Sequence, residues 1–542
     1  MIKFVLLFAV LISGSTVNAQ YQELYEKVKA KIKDYVEKGE TVIEGERLAA
    51  TQRAVEYYTA HDFKPVWFDE ENREELIGII ENSYDDGLNP ADYHIEKIKA
   101  LEQKVDQGSM DADVIAGLEL LLSDAVVMYG HHLLWGRVDQ STIRKSWDVP
   151  KNPAPQGLDS LFTKYKFKKD LTALFQSLMP QHYMYKGLKE GLKRYREIAA
   201  NGGWPQIPSG EVLKPGMSDE RVPVLKKYLS ITGDYTGIVD DTSQVYDDPL
   251  VDAVRKFQFR HNLIPDGVIG KGTLEQMNVP VEKRIDMIRV NLERGRWVLH
   301  DLPDDFLVVN IAGFNVRRIQ NDSITYYSNA IVGKQHHESP IFKGKMIYAE
   351  INPTWTVPYS IATKEMLPRL KRDAGYLKKK NLVIMDPGGK ILDPSSIDFS
   401  KYSAGHFPFI IRQEPGPHNA LGQVKFIFPN KYSVYLHDTP SRSLFNRQER
   451  AFSHGCIRLQ KKWELLMNLM DEPDVWNMEK INEILRSKKT TRVYLPRPED
   501  IIILYWTAGS SADEDVLFFN KDIYGRDSAV LNALDAPVTY QL

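Results

Sequence analysis

The hydrophobic pattern of this chain changes period near residue 283, and no single core accommodates both halves. Before that point apolar positions such as Leu188, Leu192, Tyr195 and Ala199 recur at helical spacing. After it, short β-rich runs lie at 306–311, 324–327, 425–428, 433–436, 492–495 and 501–505, separated by Gly, Pro, Asn and Asp clusters. A chain of 542 residues also exceeds the ~100–200 residues of one ordinary core. The expectation is a multidomain α+β protein with a helical scaffold over 20–205, a small helical unit over 206–282 and a mainly-β domain over 283–542. Within the last, a charged segment from Lys364 to Lys380 has helical periodicity. It predicts a helical insertion over about 359–416, either a lid over a site or surface decoration.

The first residues indicate a compartment. Lys3 precedes the apolar run 4–12, and small and polar residues follow, ending Val17-Asn-Ala19. A charged start, a short apolar stretch and a small-x-small ending form the pattern of a secretory signal peptide over 1–19. The run is far short of the ~20 apolar residues that span a bilayer, and no later stretch is long enough. The expectation is an exported protein that starts near Gln20, without a membrane span. The net charge of −3 and the lack of a long Lys/Arg tract give no electrostatic footprint for nucleic acid.

In the second unit, Val224, Leu225, Tyr228 and Leu229 suggest one amphipathic helix and Leu250, Val254 and Phe257 another. Asp266-Gly-Val-Ile-Gly270-Lys-Gly-Thr273 then leads into a third short helix through Leu274 and Met277. This arrangement resembles the small helical peptidoglycan-binding module found beside wall enzymes; a spacer that binds nothing is the alternative. His131 and His132 are adjacent, so on a helix they face apart and make a poor chelate. His336-His337-Glu338 lacks further ligands. No metal and no cofactor are expected.

The chemistry is concentrated around the one cysteine, Cys456, which has no partner for an internal disulfide. A free cysteine is commonly a small buried hydrophobe, but its neighbours here argue otherwise. Tyr435-Leu-His437-Asp-Thr precedes Ser453-His454-Gly455-Cys456-Ile-Arg458, with fifteen residues between His437 and Ser453. A thiol of pKa ~8.5 is only a few per cent ionised near neutrality, and a nearby imidazole at a strand end corrects that. Gly455 permits a tight turn, so the backbone N–H groups of His454, Gly455 and Cys456 are candidates for an oxyanion hole.

His437, Ser453-His-Gly-Cys456 and Arg458 resemble the active-site motif of the L,D-transpeptidases of bacterial cell walls. Asn352-Pro-Thr-Trp355-Thr-Val-Pro358, Arg412-Gln-Glu-Pro-Gly-Pro417, Asn419-Ala-Leu-Gly422 and Phe428-Pro-Asn430 match the large multidomain periplasmic branch of that family. The resemblance implies a Cys456 nucleophile and a His437 base. Cys456 would attack a tetrapeptide stem before its terminal D-alanine, and the thioester would pass to a diaminopimelate amine, giving a 3–3 cross-link. It also implies a periplasmic location, peptidoglycan donor and acceptor stems as partners, other wall-synthesis proteins as a further partner class, and carbapenem addition to the thiol. Asp438 is adjacent to His437 but faces the opposite way on a strand, so it is not read as a triad member. Arg458 is either a partner for a substrate carboxylate or half of a structural ion pair. Tyr435 and Trp355 either line the substrate pocket or pack, and Ser453 is placed with the substrate-binding residues. An L,D-carboxypeptidase, an enzyme attaching proteins to the wall, and a non-catalytic wall-binding scaffold remain alternatives.

Overall fold

The computed structural model describes residues 14–143, 147–149, 170–239, 242–373, 375–511 and 516–539. Most of the expected signal peptide lies outside the described residues. A helix, Gly14–Lys38, runs through the predicted cleavage point. No helix among the described residues is long and apolar enough to cross a membrane.

The N-terminal half is helical, as its periodicity predicts. Its centre is Ala112–Trp135, started by Asp111, whose side chain accepts from Asp113 N, and ended at Gly136 with φ 85°. Nearly every residue from Ala116 to Leu134 is buried, the condition of a helix apolar on all sides. Leu24, Val28 and Ile32 pack against it, as do Tyr58, Trp67, Leu76, Ile98 and Phe175. One buried carboxylate, Glu119, accepts from Tyr58 Oη at 2.7 Å and Trp67 N at 2.9 Å. Burial pushes its pKa up to about 7.

The expected 20–205 unit does not share one core. The helix Tyr183–Ala200 lays Tyr185, Leu188, Leu192 and Tyr195 into the hydrophobic cluster of the C-terminal half. There it packs beside Val281–Val298. The small unit forms Val222–Ile231, Asp248–Arg260 and Lys271–Met277, the three helices read from the sequence. Its Leu225, Tyr228, Val254 and Phe257 belong to that same C-terminal cluster.

The C-terminal domain is built on strands β1 (Asp305–Asn310), β2 (Asn315–Gln320), β3 (Ser323–Gly333), β4 (Ile341–Ile351), β5 (Val424–Ile427), β6 (Leu436–His437), β7 (Ile457–Leu459) and β8 (Thr491–Leu504). Their pairings run β1–β8–β4–β5–β6–β7–β3–β2 and back to β1. The sheet therefore closes on itself and leaves none of these strands as an open edge. β6 and β7 are parallel within a mainly antiparallel ring. The helix expected near 463–470 is Lys462–Met470.

The insertion is mixed rather than helical. One helical stretch runs over 359–370, with the π-helical Ala362–Met366 in its middle, and a short helix Tyr376–Lys379 follows; beside them lies a small antiparallel sheet of Trp355–Thr356, Leu382–Met385, Ile391–Leu392 and Ile410–Gln413. It has its own apolar cluster around Leu367, Leu377, Ile384 and Ile411. Pro368, which has no N–H to donate, follows the π-helical turn within that stretch, and the β-branched Val383, Ile384 and Ile411 supply the strands. Asn419 fastens its two ends, donating to Pro353 O at 3.1 Å and Glu414 O at 3.0 Å.

Candidate active site

The short strand β6 positions His437. Its predicted start at Ser433 is displaced, because Asn430 Oδ1 accepts from Tyr432 N at 3.0 Å and Val434 N at 3.1 Å and folds that stretch into a turn. Ser433 sits there at φ 55°. The His437 ring is buried, and its Nδ1 meets Asp438 O at 2.5 Å. A carbonyl only accepts, so Nδ1 carries the proton and Nε2 keeps its lone pair. Burial, with Arg458 next and Lys425 adding to it, holds the imidazole pKa down at about 3, so the ring is neutral at pH 7.

Asp438 points away from this face. Its buried carboxylate meets Lys462 Nζ at 3.1 Å and Arg442 Nη1 at 3.2 Å, and accepts from Gln423 N at 3.0 Å. Gly422 lies against it at φ 64°, where a Cβ would sit 2.3 Å from Asp438 Oδ2.

Cys456 closes the turn before β7 and is half-buried and unpaired. Its sulfur lies 3.8 Å from Ser433 O and also meets the Tyr435 backbone and hydroxyl. Burial pushes the thiol pKa up; the contacts to Tyr435 and the charges of Lys425 and Arg458 oppose that rise. Among the described residues no hydrogen bond joins the sulfur to His437. His437 lies in a parallel strand pair that Cys456 immediately precedes; in it Leu436 faces Ile457, His437 faces Arg458, and Ile457 N donates to Tyr435 O at 3.1 Å. Tyr435 bridges His437 and Cys456, with its ring 5.5 Å from the His437 ring and its hydroxyl at the sulfur.

The turn itself is tightly held. Gly455 has φ 111°, a conformation that a side chain disfavours, although a Cβ would meet nothing closer than Glu338 O at 3.6 Å. Ser453 is buried; its Oγ donates to Cys456 O at 2.5 Å and accepts from Gly455 N at 3.1 Å. Ser453 Oγ, expected among the substrate-binding residues, is thus engaged within the turn, and it occupies the Gly455 N–H expected in the oxyanion hole, which leaves the His454 and Cys456 N–H groups as the candidate donors. Ser339 Oγ donates to Gly455 O at 2.8 Å from behind. His454 Nε2 lies 2.7 Å from Glu365 Oε1 of the insertion, and its ring lies 4.8 Å from that of His337. Trp355 pairs with Gln413 and packs on the insertion's own core, favouring the packing reading over a cleft wall.

Arg458 has no ion-pair or hydrogen-bond partner among the described residues, and its Nε is buried without one. The structural ion pair allowed for it is absent there. Lys425 was missed in the sequence. It lies in a row of side chains across the sheet, Arg492–Glu350–Lys425–His437–Arg458, each opposite the next. Its signal was a lone lysine alternating with Phe426 and Phe428, on the face opposite those two buried rings. No group of three or more His, Cys, Asp or Glu placed to hold a metal occurs among the described residues. His132 is buried, with Tyr93 Oη at 2.9 Å from its Nδ1.

Comparison with known proteins agrees with this layout. Residues 304–493 match the family described as "L,D-transpeptidase catalytic domain". Residues 52–192 match a "Scaffold domain", and residues 218–277 match a "Putative peptidoglycan binding domain". Three family models thus match successive parts of the chain, the one for the L,D-transpeptidase catalytic domain falling on the closed sheet. A curated relative from Haemophilus influenzae, described as "Putative L,D-transpeptidase", is 32% identical over 256 residues. That match covers 47% of this chain and 51% of the relative, so the chain spans about half the length of the curated relative it matches. A crystal structure of an L,D-transpeptidase from Stackebrandtia nassauensis is matched over 55% of this chain and 96% of that one. The two chains share 12% identity over that match, with a TM-score of 0.22.

Proposed function

We propose that this chain is an exported L,D-transpeptidase that forms 3–3 cross-links in peptidoglycan through a thioester on Cys456. The observation that carries the reading is the pairing of β6 with β7, which sets a neutral, buried His437 beside the half-buried thiol on a face that also holds Tyr435, Lys425 and Arg458. A thiol raised by burial is protonated at rest, so its proton must leave as it attacks, and the neutral imidazole of His437 is the candidate base on this face. In ligand-free sites such catalytic hydrogen bonds are often long and tighten in the complex.

The sulfur adds to the carbonyl before the terminal D-alanine. The oxyanion is met by the N–H groups of His454 and Cys456, and the imidazolium returns its proton to the departing amine. A diaminopimelate amine from a second stem then attacks the thioester, freeing the thiol. Arg458 would take a substrate carboxylate; its buried, unmatched Nε supports that role. Residues 218–277 would hold the enzyme to the wall.

The test is mass spectrometry of purified muropeptides incubated with residues 20–542 or with the Cys456→Ala protein. Dimers linked 3–3 that appear with the first protein alone are the expected result. Tripeptides without dimers would make water the acceptor and the enzyme a carboxypeptidase. No change with either protein would overturn the reading. A carbapenem should add covalently to Cys456, and an unchanged intact mass would count against the thioester.

A further inference from the structure

The site carries more positive charge than its own anions match. Glu350 is bound to Arg492 at 3.1 Å, so it is shared rather than given over to Lys425. Lys425 Nζ has no ion-pair or hydrogen-bond partner among the described residues; it rests over the Tyr435 ring, 4.3 Å from the centroid. Arg458 on the other side of His437 is equally unmatched, with its Nε buried. Tyr435 and Cys456, the remaining polar groups of this face, are neutral when protonated. Holding two half-buried cations without an anion costs free energy unless a ligand supplies one. A cation stacked on an aromatic face keeps its N–H groups free for that ligand.

We infer that Lys425 is a second anion anchor, which with Arg458 grips the free carboxylate of a peptide donor adjacent to the bond that Cys456 attacks. This rests on the reading of Cys456 as nucleophile. It adds a specificity determinant to that site: donors ending in a free carboxylate are preferred over their amides. Lys425 acts here as a binding residue. Its effect falls on substrate affinity, whereas a lysine serving only the thiolate would change the ionisation of the thiol.

The experiment compares alkylation of Cys456 by iodoacetate and by iodoacetamide, which differ in one carboxylate, across pH in wild type, Lys425→Met and Lys425→Arg. Methionine keeps an apolar stem on the Tyr435 ring, and arginine keeps the charge. The expected result is that Lys425→Met lowers the iodoacetate-to-iodoacetamide rate ratio about tenfold, the loss of one hydrogen bond to a charged group. The apparent thiol pKa should rise only modestly, because Lys425 is one of several groups that lower it, so the ratio of the two reagents is the readout; Lys425→Arg should retain that ratio. An unchanged ratio in Lys425→Met would overturn the proposal. So would equal slowing of both reagents, fully accounted for by a raised thiol pKa, which would make Lys425 a thiolate stabiliser only.

A second arm uses tetrapeptide donors with a terminal carboxylate or carboxamide. Lys425→Met should raise KM for the acid about tenfold or more, with kcat little changed and the amide unaffected. Loss of kcat on both donors alike would also overturn it. If wild type turned over neither donor while keeping its iodoacetate preference, the transpeptidase reading would fail and the anion anchor would stand.

Discussion

Asp438→Asn separates a structural carboxylate from a catalytic one, because Asp438 adjoins the candidate base yet faces away from it. The side chain is 4% exposed, and it compensates Lys462, which is 14% exposed, and Arg442, which is 46% exposed. The Arg442 pair is solvent-screened and worth no more than ~1 kcal/mol. Breaking a fully buried pair costs ~3–5 kcal/mol, an upper bound for Lys462 because its ammonium is partly wet. The amide still accepts from Gln423 N, so that bond is kept. The balance is a loss of about 2–3 kcal/mol, felt first where β5 meets β6. Native-state hydrogen exchange of the Asp438 amide, bonded to Val424 O at 2.9 Å, should then accelerate about 30- to 160-fold at ~1.4 kcal/mol per decade. Adding Lys462→Met should cost little more, since its partner is already neutral. The pH profile of Cys456 alkylation should stay that of wild type. An alkylation profile displaced along the pH axis, with exchange unchanged, would refute the geometry and make Asp438 a member of the catalytic group.

Three further outcomes follow from the same site. Ser453→Ala removes the hydroxyl that satisfies both Gly455 N and Cys456 O; it should cost about 1–3 kcal/mol for buried groups left unpaired and slow acylation. Normal stability with normal acylation would contradict the turn described. Gly455→Ala meets no close atom but places an L side chain at φ 111°, so the turn should open at a cost of about 1–3 kcal/mol and acylation should fall; stopped-flow carbapenem binding checks it. His437 is neutral in the fold, with a pKa near 3 against ~6.5 unfolded. The native state therefore binds fewer protons in that window, and stability is complete above ~6.5 and declines toward pH 3 by up to ~1.4 kcal/mol per pH unit. Melting of the catalytic domain across pH 3–7 should show a shallower acid limb in His437→Gln than in wild type.

What was legible in the sequence and what was not divide along a physical line. His437, Gly455 and Cys456 could be read because their chemistry is local: a lone thiol, a glycine that frees the turn and a histidine at a strand end. The parts that were misread depend on partners far along the chain. β2 escaped notice because Arg317 and Arg318 look like surface residues, yet Arg318 is buried by Glu499 of β8 at 2.7 Å. β4 was hidden by Lys343, Gly344 and Lys345, which interrupt its apolar alternation. The face of Tyr183–Ala200 was correctly periodic, but periodicity does not say which core a helix joins, and here it joins Val281–Val298. Lys425 is the sharpest case. In a strand with two buried phenylalanines on its other face, a lysine reads as solvated, and only the register of β5 between β4 and β6 sets it opposite Glu350 and His437. Because β4 brings Glu350 already bound to Arg492 of β8, closure of the sheet decides how much of that carboxylate Lys425 receives. The motif therefore supplies the candidate reacting groups, and the long-range strand pairing sets the charge around them.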